Sequence, residues 1–177
     1  ITLMKKYLED KDYNALNEYL NNYQKSIPDE HIFFCENSAV NAILSYFSEQ
    51  ARTFGITYTV SASIPKHISI SETDLSILFG NLLENAIDAC NAQSGENKKI
   101  IVRAKTDNHS LCVTIDNTFS GSLDIDQEGH FVSSKHEGLG LGTESIKSIA
   151  EKYGGVCQFE ANNGMFYASV MCFKDHA

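Results

Sequence analysis

Three short stretches hold residues whose types and spacing could do chemistry. The first is Asn81-Leu-Leu-Glu84-Asn85-Ala-Ile-Asp88-Ala-Cys90. At 100° per residue Asn81, Asn85 and Asp88 share one helical face, while Leu75, Phe79, Leu82, Leu83, Ala86 and Cys90 take the other. A solvated face is one reading, but such faces are ordinarily filled with Glu, Lys or Arg, since each interior Asn costs roughly 0.5 kcal/mol of helix propensity. The other reading is a ligand site. A side-chain amide oxygen is a neutral, hard ligand suited to Mg²⁺, which prefers oxygens and keeps waters and phosphates around it.

The second stretch, Gly138-Leu-Gly140-Leu-Gly142-Thr143, opens a helix. Glycines allow close backbone approach, and the unpaired N–H groups of a first helical turn favour an anion such as phosphate; a flexible hinge is the alternative. No Gly-Lys-[Ser/Thr] follows, so this is no Walker A loop, and the absence of a strand just before it argues against a Rossmann turn. The third stretch is Ile115-Asp116-Asn117-Thr118-Phe119-Ser120-Gly121. A carboxylate at a strand end offers a fixed acceptor for an exocyclic amine such as that of adenine, or simply starts a turn.

The elements that must position these residues follow from periodicity. Apolar residues at helical spacing run through 2–26, from Leu3 to Tyr23, and Pro28 closes the segment. A second helix is predicted over 37–54 through Val40, Ile43, Leu44, Phe47 and Ala51, with Gly55 as its stop. The two suggest a helical hairpin, and the change of texture at Gly55 marks a domain boundary, giving residues 1–55 and 56–177. Thr57-Tyr58-Thr59-Val60 reads as a strand. Ser71-Glu-Thr-Asp74 opens the amide-bearing helix, predicted to run to about Ala92. Strands at 99–106 and 110–116 form a hairpin around Asp107-Asn108-His109, and a final hairpin of 156–161 with 165–173 turns at Asn162-Asn163-Gly164. Between them lie residues 117–142, a glycine-bearing loop, and a helix over 143–153. So long a loop is usually a lid or binding segment.

Composition limits the partners. Of 177 residues 14 are basic and 23 acidic, for a net charge of −9, which excludes a phosphate-backbone surface as the main function and makes nucleic acid an unsuitable partner. Hydrophobic residues make up 42%, enough for a sizeable core, and no apolar run approaches the ~20 residues of a membrane span. The five cysteines lack a CxxC pair and read as small buried hydrophobes in a reducing compartment, and no His/Cys spacing suits zinc. A helical pattern already under way at Ile1 is expected of a piece of a longer protein.

The order of an Asn helix, an Asp at a strand end and a Gly loop opening a helix resembles the GHKL superfamily (gyrase, heat-shock chaperone, histidine kinase, MutL) over residues 64–173. Asn81-Leu-Leu-Glu84-Asn85-Ala resembles its N box, Asp116-Asn117 the first G box and Gly138-Leu-Gly140-Leu-Gly142 the second. Asn-Thr-Phe-Ser-Gly, Ser134-Lys135 and Lys152-Tyr-Gly-Gly155 are similar to signposts of the histidine kinases of peptide-sensing quorum systems.

That resemblance implies a two-layer α/β sandwich of the Bergerat type, with a mixed sheet, preceded by a partial dimerisation hairpin. It implies ATP and Mg²⁺ as cofactors, with Asn85 as Mg²⁺ ligand, Asp116 as adenine reader, Gly138, Gly140 and Gly142 as phosphate loop, and Lys135 as a further phosphate contact. In ATP-hydrolysing members a Glu stands four residues before the Mg²⁺ Asn as the base for water. Here that position is Asn81, and an amide cannot take a proton, which suits γ-phosphoryl transfer to a histidine. That histidine is expected upstream of residue 1, in the cytoplasmic region of a membrane-anchored homodimer that relays phosphate to a response regulator. The alternatives are a nucleotide-binding interaction module or pseudokinase, and an anti-sigma-type serine kinase, which would lack the helical hairpin. Two departures stand out: Asp88 where many histidine kinases carry Lys or Arg, and Thr118 where the first G box has glycine. No ordinary F box is evident, and Phe119 or Phe131 is the expected packing residue on the lid.

Overall fold

The computed structural model describes residues 7–8, 10–17, 32–120 and 141–173. The chain divides into two compact units, Ile1–Ile32 and Phe33–Ala177. In the first, the helical periodicity expected across 2–26 is broken. Residues 10–11 form a turn with Lys11 at φ 53°, and helix begins again at residue 13. Asp12 causes the restart, since its Oδ1 accepts from the Ala15 N–H at 3.0 Å and its carbonyl from Leu16. The rest of the first expected helix lies outside the described residues.

In the second unit the order is α1 (Ser38–Thr53), β1 (Thr57–Ser63), α2 (Glu72–Asn91), β2 (Lys99–Thr106), β3 (Ser110–Thr118), α3 (Leu141–Lys152), β4 (Val156–Asn162) and β5 (Met165–Phe173). The five strands form one mixed sheet in the order β1-β2-β3-β5-β4. Only β1 and β2 are parallel, and α2 is the crossover between them. This is the expected α/β sandwich. The boundary expected at Gly55 falls elsewhere, because α1 belongs to the same unit as the sheet. Val40, Leu44 and Ala51 of α1 are fully buried in the core that also holds Leu75, Phe79 and Leu83 of α2. A helix whose apolar face has no other cover cannot be separated from that core.

Caps explain where the helices begin. Asn37 accepts from Val40 N at the start of α1, and its amide donates to the Lys66 carbonyl, so it is buried and satisfied. Ser71 does the same for α2 by accepting from Asp74 N. At the end of α3 the close approach of chain to chain requires glycine: a Cβ on Gly155 would lie 1.8 Å from the Met171 carbonyl oxygen. The β4–β5 hairpin turns at Asn163 and Gly164, both at positive φ, as a two-residue turn demands.

One face of the sheet meets the helices. On β3 the residues facing them are Leu111, Val113 and Ile115, each at most 1% exposed, and by alternation Asn117. The other face of the sheet carries no described element. Among the described residues no helix is long and apolar enough to cross a membrane.

Candidate functional site

Helix α2 presents the amide face as the spacing predicts. Leu75, Phe79, Leu82, Leu83, Ala86 and Cys90 are buried, while Asn81 and Asp88 are half-buried and Asn85 is exposed. The N-terminus of α3 comes to this face. A Cβ built on Gly142 would lie 3.5 Å from Asn85 Nδ2, 3.6 Å from Asn85 Oδ1 and 3.8 Å from Asn81 Oδ1. Three residues up to 61 positions apart in sequence thus meet at the start of α3. Lys135, Gly138 and Gly140, and the lid expected over 117–137, fall wholly or mostly outside the described residues.

A polar cluster at the far ends of both helices holds α3 in this place. Asp74 Oδ2 accepts from Lys152 Nζ at 2.7 Å, from the Tyr153 hydroxyl at 2.6 Å and from Ser71 Oγ at 2.6 Å. The Tyr153 hydroxyl in turn accepts from the Ser71 N–H. The hydrogen bond from the Lys152 ammonium, followed by those from Ser71 and Tyr153, holds the Asp74 carboxyl down at about 2, and Asp74 in turn raises Lys152. One buried carboxylate therefore joins the N-terminus of α2 to the C-terminus of α3. No motif marks Asp74, whereas Lys152 and Tyr153 belong to the Lys-Tyr-Gly-Gly stretch.

The structure does not bring Asp116 to the amide face. Asp116 is opposite Ile101 on β2 and Tyr167 on β5, on the sheet face away from the helices, and its carboxylate pairs with Arg103 Nη1 at 2.6 Å. There it lines a polar cleft of about 290 Å³ with Arg103, Thr114, Gln158, Glu160 and Tyr167. The reason is the pleat. Val113 and Ile115 are the core residues of this strand, so an even-numbered neighbour must face outward. The residue that faces the helices at this level is Asn117, 2% exposed, in a cross-strand row with Ile100 and Phe166. The alternation Leu111, Val113, Ile115 was present in the sequence and could have identified it.

Thr118, the branched residue at the expected glycine position, has its own use. Its Oγ1 accepts from Lys99 N and from Gln93 Nε2, both at 3.0 Å, and lies 3.6 Å from Cys90 Sγ. It ties the end of α2 to the start of β2. Phe119, an expected lid contact, donates its N–H to the Gly164 carbonyl. Of the five cysteines Cys35, Cys90 and Cys172 are buried, as expected of apolar fillers, while Cys112 and Cys157 are half-buried; burial raises the thiols of Cys35, Cys90, Cys157 and Cys172, the last to about 11.

The donor set fits a metal that arrives with its own anions. No group of three or more His, Cys, Asp or Glu side chains that could hold a metal ion is present among the described residues. Two neutral amides would not retain Mg²⁺ alone, whereas one amide oxygen added to phosphate and water oxygens is the donor set Mg²⁺ prefers.

Comparison with known proteins agrees with this architecture. The GHKL domain family matches residues 70–172. The chain is 23% identical over 138 residues to a probable C4-dicarboxylate sensor kinase of Bacillus subtilis, covering 73% of this chain and 25% of that protein. It thus spans about a quarter of the length of that relative. Among solved structures, the nucleotide-free catalytic domain of histidine kinase ThkA superposes with TM-score 0.58 at 22% identity, covering 77% of this chain and 91% of that one. The Acinetobacter baumannii histidine kinase AdeS superposes with TM-score 0.57 at 13% identity over 99% of this chain and 85% of that one. ThkA in complex with the response regulator TrrA gives TM-score 0.56 at 18% identity over 95% and 50%. The family match spans more than half of the residues, and the chain belongs to the GHKL domain family.

Proposed function

We propose that this chain is the ATP-binding catalytic portion of a two-component sensor histidine kinase. The observation that carries the reading is the meeting of Gly142, at the start of α3, with the amides of Asn81 and Asn85. Asn85 would offer its oxygen to Mg²⁺, and the first-turn N–H groups of α3 would hold phosphate oxygens. The nucleotide supplies the γ-phosphoryl group. Asn81 accepts no proton, so water beside it stays a poor nucleophile and the site is suited to holding its donor until a histidine approaches. That acceptor would belong to a dimerisation region to which residues 1–32 contribute, and the phosphohistidine would pass its group to a response regulator. The relatives support this last step, since one solved histidine kinase of this fold is in complex with a response regulator.

Calorimetric titration with ADP and ATP, with and without Mg²⁺, tests the binding. The expected result is a single Mg²⁺-strengthened site that Asn85→Ala weakens. No binding at millimolar nucleotide would refute the kinase reading and favour an interaction module. Incubation with γ-labelled ATP tests the chemistry: this chain should bind without labelling itself, and a chain extended upstream through the acceptor motif should acquire acid-labile label. Acid-labile label on the chain as it stands would place the acceptor among its own histidines.

A further inference from the structure

We propose, resting on the nucleotide-binding reading above, that the base is read by the neutral amide of Asn117 and that the site therefore separates adenine from guanine only weakly. Asp116, the carboxylate of β3, faces the opposite side of the sheet and is held there by Arg103. Asn117 faces the helices, 2% exposed, between Ile100 of β2 and Phe166 of β5, apolar neighbours of the kind that flank a planar base. Its Nδ2 donates to the Thr118 carbonyl at 3.0 Å. That bond settles which end of the amide is offered. The carbonyl oxygen Oδ1, for which no hydrogen-bond partner is found among the described residues, is the group left to accept from an exocyclic amine.

The consequence is a matter of charge. A carboxylate facing the six-position of a purine accepts a charge-assisted bond from the adenine amine and repels the guanine carbonyl. A neutral carbonyl oxygen does both more weakly, and the amide can turn to donate to guanine at the expense of its bond to Thr118. A neutral hydrogen bond corresponds to roughly fivefold in affinity, where a charged one corresponds to roughly tenfold to a hundredfold.

The test compares Mg²⁺-ADP, Mg²⁺-GDP and the diphosphate of purine riboside, which lacks the six-amine, by calorimetry on the wild type, Asn117→Ala and Asp116→Asn. The wild type should prefer ADP to GDP, and ADP to the amine-free analogue, by roughly fivefold each. Asn117→Ala should bring both ratios close to one, whereas a merely structural loss would weaken all three ligands together and leave the ratios as they were. Asp116→Asn should leave both ratios unchanged. Where Asn117→Ala does not fold, as judged by circular dichroism, the wild-type ratios and those of Asp116→Asn still decide. A wild-type preference for ADP above a hundredfold, or ratios that collapse in Asp116→Asn, would overturn the assignment to Asn117. Absence of binding by all three ligands would instead overturn the nucleotide-binding reading itself.

Discussion

Replacing Asp74 by Asn tests how α3 is held against α2. The carboxylate receives three hydrogen bonds on one oxygen, from Lys152, Tyr153 and Ser71, and is 8% exposed. A carboxyl held at about 2 against an ordinary 3.8 is linked to about 2 kcal/mol of folding stability. The sign follows from the lowered value. The unfolded chain takes up a proton before the folded one does, so the contribution is complete above pH 3.8 and lost as pH falls through 2. Asp74→Asn should therefore lower the unfolding free energy by about 2 kcal/mol at pH 7, and by only about half of that near pH 3. Urea unfolding of both proteins at the two pH values, followed by far-ultraviolet circular dichroism, measures it. A loss under about 0.5 kcal/mol at pH 7, the range of an exposed pair, or one equally large at pH 3, would refute the claim that this ionised carboxylate joins the helices.

Three further outcomes are expected. Gly142→Ala should fold at least as well as wild type, because its Cβ meets Asn85 and Asn81 only at ordinary contact distance and Ala exceeds Gly in helix propensity by up to about 1 kcal/mol; Gly142→Leu should displace the Asn85 amide and weaken Mg²⁺-ADP binding about tenfold or more, read by thermal melts alongside titration. Gly155→Ala drives a methyl into the Met171 carbonyl and should cost about 2 kcal/mol or more, seen as a lowered urea midpoint; a midpoint equal to wild type would contradict the packing of α3's end on β5. Thr118→Val keeps the shape of the side chain but leaves the Lys99 N–H and Gln93 amide without their acceptor, at about 1–3 kcal/mol, and hydrogen exchange at Lys99 should accelerate while that at Val113 stays slow.

Much of this protein was determined locally and was legible in the sequence. Cap chemistry at Asn37 and Ser71, the two-residue turn at Asn163-Gly164 and period-2 or 3.6 patterning fix the elements of the second unit to within three residues, because each depends on neighbours along the chain. The amide face of α2 was likewise readable, since helical geometry alone puts Asn81 and Asn85 together. Three things required the tertiary structure. Whether α1 joins the sheet or a separate hairpin depends on which surface covers Val40, Leu44 and Ala51, and an amphipathic pattern names a buried face without naming its partner. The junction at Asp74 unites residues 78 and 79 positions apart, beyond any spacing rule. Finally, motif order favoured Asp116 as the base reader, whereas the pleat, anchored by Val113 and Ile115 in the core, turns that carboxylate outward to Arg103 and Asn117 inward. A one-residue difference in register exchanges the two faces of a strand, and only packing against the helices decides which face is which.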